Sequence, residues 1–220
     1  MNIAVDRMFE NNDWIAAVLF LVLILITILK VIYPKRFEAL LGCLFSKKYF
    51  LDYSSELLEI FSLYNALLFF VQNLVLSLFI YVLFTKLFLL NSLMGFQFFS
   101  TLFIGVTLYL VFQFVLGKIV AVLFRFNEIF ELNRMWKFSY LKSISILFLP
   151  VLIFVIYAFP NNQIIYWVGV VVMLIFLIIR MILIIVGNIK QFSYNWFYFI
   201  LYICTLEILP LVLLYLLVVK

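Results

Sequence analysis

The side chain best placed to do chemistry in this sequence is Glu207, set in the apolar run Tyr202-Ile-Cys-Thr-Leu-Glu-Ile-Leu-Pro210. A carboxyl group among apolar residues binds a proton or a cation where charge is costly, which makes it a first candidate for function. Pro210 sharpens the position. Its nitrogen carries no hydrogen, so within a helix the carbonyl of Leu206 loses its donor close to the carboxylate, and the helix kinks. Arg180, on the preceding apolar run, is the natural partner; it either snorkels to the nearer membrane face or reaches toward Glu207. Gln72, Asn73 and Gln113 are the other polar groups that could complete a buried network with them. Two readings of this set are open. One is a proton- or cation-binding path for transport; the other is interhelical glue, each contact worth about 1 kcal/mol.

Other chemistry finds little support. The sequence has no His, which removes the commonest metal ligand and the commonest general base at neutral pH. No H-E-x-x-H, G-x-S-x-G, P-loop or G-x-G-x-x-G is present, so the main hydrolase and nucleotide signatures are missing. Glu128 and Glu131 stand one helical turn apart, at the spacing of a carboxylate pair, but Arg125 and Arg134 flank them. An ion-pair stripe is the simpler reading. Cys43 and Cys204 form no C-x-x-C pair and read as buried, inert thiols. No metal, cofactor or nucleic-acid partner is expected.

The elements that must carry these residues are set by composition. The chain is 69% hydrophobic and 11% charged over 220 residues, more apolar surface than a water-soluble domain of this size can hide. A bilayer suits it, and spanning elements there are helices or closed barrels. The apolar runs are far longer than barrel strands and do not alternate, so they predict helices. Six spans are expected, at about 14–33, 62–85, 98–124, 143–159, 164–186 and 196–219, with Pro150 bending the fourth. The first is read as a retained helix, because Lys30, Lys35 and Arg36 follow it where a cleavable signal has its positive charge in front. The whole of 1–220 reads as one integral-membrane domain.

Charge sets the orientation. With both termini outside the cytoplasm, twelve of the fifteen Lys and Arg residues fall at cytoplasmic loops and helix ends, and Arg7, Lys86 and Lys220 remain outside. The opposite orientation inverts that ratio against the positive-inside rule.

Two cytoplasmic segments read as amphipathic helices lying at the headgroups. In 35–53, Phe37, Leu40, Leu41, Leu44 and Phe45 follow i, i+3, i+4, i+7, i+8, one helical face. In 125–142, Arg125, Glu128, Glu131, Arg134 and Lys137 recur every three residues as a charged stripe. Membrane lipids are the expected contact, with other membrane proteins as a further class of partner.

At Asn127-Glu-Ile-Phe-Glu-Leu-Asn-Arg-Met-Trp-Lys-Phe-Ser-Tyr-Leu-Lys142, before the span holding Pro150, and again at Tyr202–Pro210, the chain resembles a family of integral-membrane proteins of Bacteroidota. That family is grouped only as a domain of unknown function. The resemblance runs from about residue 30 onward, and it implies the bacterial inner membrane without supplying an activity. A looser similarity, in layout and a few residues, is to the Yip-type membrane trafficking family, which implies a membrane-organising role. These readings lead to an all-α polytopic bundle that acts as a non-enzymatic scaffold or subunit of a membrane complex. The alternative is a small proton- or ion-coupled transport component using Glu207 and Arg180. A lipid-modifying enzyme working through Glu128, Glu131 and Arg134 is the least favoured.

Overall fold

The computed structural model describes residues 13–44, 62–86, 95–123, 127–158 and 163–192. Every regular element among them is helical: α1 (Asp13–Ile32), α2 (Pro34–Leu41), a single 3-10 turn (Gly42–Leu44), α3 (Leu63–Lys86), α4 (Phe96–Leu123), α5 (Asn127–Tyr157) and α6 (Gln163–Phe192). Five of these are long and apolar enough to cross a membrane: α1, α3, the first 24 residues of α4, Trp136–Tyr157 of α5 and Ile164–Ile184 of α6. The protein is a polytopic helical membrane protein. The expected sixth span, 196–219, lies outside the described residues.

Local chemistry sets the helix ends. Pro34 cannot donate to the α1 ladder and restricts Tyr33, which leaves helical geometry at φ −127° and ψ 57°; the same proline then sits comfortably at the first position of α2. Ser62 caps α3 by accepting the N–H of Asn65 on its hydroxyl at 3.3 Å, satisfying one of the donors that a helix start leaves open. Gly95 leads into α4 at φ 144°, a conformation that a side chain would strain.

Ring and side-chain contacts give the helix directions. Trp14 at the start of α1 meets Tyr81 near the end of α3 at 4.9 Å, while Tyr33 after α1 meets Tyr64 at the start of α3 at 5.2 Å. α1 and α3 are therefore antiparallel. Lys142 meets Asn65, and Phe148 meets Phe79 at 5.0 Å, so α3 and α5 run in the same direction. Each is the more buried kind of span, whereas α4 and α6 turn most of their surface outward. The centre is the α3–α5 seam, where Leu68, Leu78, Phe148 and Leu152 belong to one buried apolar cluster. Apolar side chains such as Phe20, Leu108, Phe112, Trp167 and Ile178 stand exposed on the outer helices, the surface a bilayer solvates. Gly169 lets α6 close on α5, since a Cβ there would lie 3.2 Å from Cγ2 of Val155.

Two expectations change. The expected headgroup helix in 125–142 and the span expected from 143 are one continuous helix, α5, with Arg134 and Lys137 each only 7% exposed. The physical reason is that 127–149 contains neither Gly nor Pro, so nothing ends the helix after Lys142. The segment from Lys35 does form a short helix, but Phe37 and Leu40 are buried and α2 packs on α1 and α5. The remainder of that segment, 45–53, lies outside the described residues.

Candidate functional site

These directions gather one end of the bundle from the end of α1, all of α2, the start of α3, the end of α4 and the first half of α5. Lys30, Lys35, Arg36, Lys118, Arg134, Lys137 and Lys142 belong to the elements meeting there, and Asp13 and Lys86 belong to the opposite end. The segregation seen in sequence thus becomes a cationic end.

Of these, Lys142 lies furthest along α5. The side chain is 8% exposed, and Nζ donates to Oδ1 of Asn65 at 3.0 Å. Arg134 lies about two turns earlier on α5, and its guanidinium is 5.6 Å from the ring centre of Phe114 on α4. From the α2 side Arg36 lies over Tyr64 at 5.2 Å and over Tyr33 at 6.0 Å. Cation–π contacts of this kind hold a guanidinium at an aromatic face while its N–H groups point elsewhere. Trp136 and Tyr140 stack obliquely at 5.8 Å on the same part of α5. Cys43 closes the 3-10 turn against α5. Burial pushes its thiol pKa up to about 12, with the neighbouring Ser143 hydroxyl offsetting part of the rise.

Further along α3 stand Gln72 and Asn73, 0% and 1% exposed. Gln72 is seven residues, two turns, beyond Asn65, which places it on the α3 face turned toward α5. Neither end of the Gln72 amide, nor Oδ1 of Asn73, has a hydrogen-bond partner among the described residues. On α6, Tyr166, Met173 and Arg180 are buried at seven-residue intervals and share one face. Counting eleven residues from Gly169 along α6 and eleven back from Val155 along α5 brings Arg180 about level with Ile144. Arg180 is therefore turned into the bundle at 9% exposure, the inward of its two expected placements.

The residues singled out from sequence fall into three groups. Gln72, Asn73 and Arg180 are buried in the interior, and Arg134 and Lys137 join them near the cationic end. Gln113 is half-buried on α4 beside Phe114, and Pro150 is exposed within α5. Glu207, Pro210 and Arg125 lie outside the described residues, and Glu128 and Glu131 occupy the first turns of α5. Sequence reasoning missed Asn65, Lys142 and Arg36. A helix-capping serine three residues before Asn65 and an unbroken helical run through Lys142 were the available signals.

Residues 15–218 match the family described as a domain of unknown function, DUF4271. The chain belongs to that family. The match takes in all five candidate spans of this DUF4271 protein apart from Asp13 and Trp14, together with the whole cationic end. No curated protein and no solved structure matches the chain.

Proposed function

We propose that this DUF4271 protein is a non-enzymatic subunit of a bacterial inner-membrane complex. The observation that supports this reading is where its intramembrane polar side chains lie: Gln72, Asn73, Lys142 and Arg180 are all nine-tenths or more buried in helix–helix seams. Polar groups so placed tie helices together. The outward faces of α4 and α6 are broad and apolar, suited to partner helices as well as to acyl chains. The gathering of Lys and Arg at one end supports a cytoplasmic location for that end and an N-terminus outside. The test is purification in mild detergent with mass spectrometry of what stays bound. A membrane protein retained in fixed stoichiometry is the expected result; recovery of the chain with lipid alone, from cells where it is functional, rejects the reading. Reporter fusions at Met1 and Lys220 check the orientation, with both expected outside.

One observation favours a second reading. Arg180 is buried instead of snorkelling, and a buried guanidinium in a membrane is ordinarily matched by a carboxylate. In a transport component, Glu207 supplies that carboxylate and the pair takes up a proton or cation. Glu207→Gln and Arg180→Leu, assayed for protein level and cell phenotype, separate the readings. Normal protein level with lost function supports transport, and loss of the protein itself supports the structural role.

A further inference from the structure

We propose that the α3–α5 seam binds water at its middle, between Gln72 and Asn73 of α3 and Ser145 of α5. The inference goes beyond the subunit reading, which needs only that buried polar groups tie helices together.

Register brings these residues to one level. Two contacts bracket the stretch: Lys142 with Asn65, and Phe148 with Phe79. The helices run in the same direction, so the midpoint of the bracket on one faces the midpoint on the other. On α3 the midpoint is Gln72, and on α5 it is Ser145. Steps of seven residues keep Asn65, Gln72 and Phe79 on one face of α3. Steps of three place Ser145 between Lys142 and Phe148 around α5 as well as along it. Gln72 and Ser145 are both fully buried, and Asn73 follows directly on Gln72 at 1% exposure.

The polar atoms here lack partners. Oε1 and Nε2 of Gln72 and Oδ1 of Asn73 make no hydrogen bond among the described residues. Ser145 directs its only hydroxyl hydrogen to the carbonyl of Leu141 at 2.9 Å, so its oxygen is left able to accept and unable to donate. In a membrane interior no bulk solvent makes up such a deficit.

That inventory selects the ligand. The oxygens of Gln72, Asn73 and Ser145 need donors, and Nε2 of Gln72 needs an acceptor. An anion would serve Nε2 alone. A metal ion would serve the oxygens and leave Nε2 unpaired. Water carries two O–H donors and two lone pairs, and buried water gathers where several polar atoms lack partners. Leu68, Phe148 and Leu152 on the same two helices are fully buried, a closely packed setting that suits a ligand of that size. Asn65 and Lys142 stand nearer the cationic end, so the bound water extends a polar line from that end into the interior.

The experiment uses the full chain, isotopically labelled at its glutamine side chains, in phosphatidylcholine bilayers. Solid-state NMR reads the transfer of magnetisation from water to each side-chain amide, and the signal of Gln72 is the one that Gln72→Leu removes. Transfer to Gln72 is expected to be as rapid as to Gln97, which is exposed. Ser145→Val, which removes the hydroxyl, should abolish that transfer, whereas Ser145→Thr, of similar size, should keep it. Absence of transfer in the wild type overturns the proposal by showing that the amide bonds to a protein group, and this measurement stands whether or not the variants fold. Transfer that grows with pH also overturns it, because it reports exchange with bulk solvent during openings of the seam. Unchanged transfer in Ser145→Val overturns the assignment of the site to the α3–α5 seam.

Discussion

Lys142 on α5 and Asn65 on α3 are joined by a buried 3.0 Å hydrogen bond, an ammonium donating to an amide oxygen across the central seam of the bundle. The two helices run in the same direction, so no short loop connects them and the seam depends on side-chain contacts. Removing the acceptor while leaving the cation buried should be costly. Asn65→Leu is expected to lower stability by about 1–3 kcal/mol. Asn65→Leu combined with Lys142→Met should cost less than the sum of the single changes, because the second removes the orphaned charge. Equilibrium unfolding in mixed detergent micelles gives all four values; strict additivity would show that the bond carries no coupling.

The Cys43 thiol, pushed up to about 12 by burial, should behave as an inert group. At pH 8 its thiolate fraction is about 10³-fold below that of an ordinary exposed cysteine. In a Cys204→Ser background, iodoacetamide should leave the folded protein unmodified on a timescale that fully labels it in denaturant. The sign of the pH effect follows from the raised value. The neutral thiol contributes its full stability below the ordinary thiol pKa. As pH rises toward 12 the unfolded chain releases its proton first and stability falls. Melting temperature should drop between pH 8 and 10.5 by more in this background than in Cys43→Ala with Cys204→Ser. Rapid labelling at pH 8 would contradict the burial.

The spans were legible because length and polarity agree at their ends. α1 and α3 lie within one residue of the expected bounds, since Asp13, Pro34, Ser62 and Lys86 interrupt the apolar runs at both ends. The start of the fourth span was not legible. The charges of 125–142, Lys137 and Lys142 among them, read as a headgroup segment ahead of the span. The helix itself had no reason to stop, and Asn65 gives one of those cations a partner inside. Gln72, Asn73 and Arg180 stood out as polar residues in apolar runs and are buried. Asn65 falls inside the expected second span without standing out, and Arg36 counts only among the positive-inside residues. Their importance comes from which elements meet, and one-dimensional spacing does not carry that.

Gly169 sets how closely α6 approaches α5. An alanine methyl there would press Cγ2 of Val155 at 3.2 Å, a contact that a small shift of the valine absorbs, and it also gains helix propensity. Gly169→Ala should therefore change stability by less than about 1 kcal/mol. Gly169→Leu has no such room and should destabilise by about 1–3 kcal/mol as the helices are forced apart. Thermal unfolding of the two variants side by side checks this, and equal stability would mean that the helices do not meet at Gly169.

Gln72 gives the sharpest separation between packing and function. Its amide is fully buried, and neither its oxygen nor its nitrogen has a hydrogen-bond partner among the described residues. A buried amide without partners costs about 1–3 kcal/mol. Leucine has a similar volume and needs no partner. Gln72→Leu is thus expected to be neutral or to stabilise the protein by about 1 kcal/mol, an unusual outcome for a fully buried site. Unfolding in detergent micelles reads the stability, and complementation of a deletion strain reads the function. A stabilised variant that fails to complement would mean that the amide is retained for what it binds when the protein works. A destabilised variant would mean that Gln72 has a hydrogen-bond partner in the membrane, and that the α3–α5 seam is held together by it.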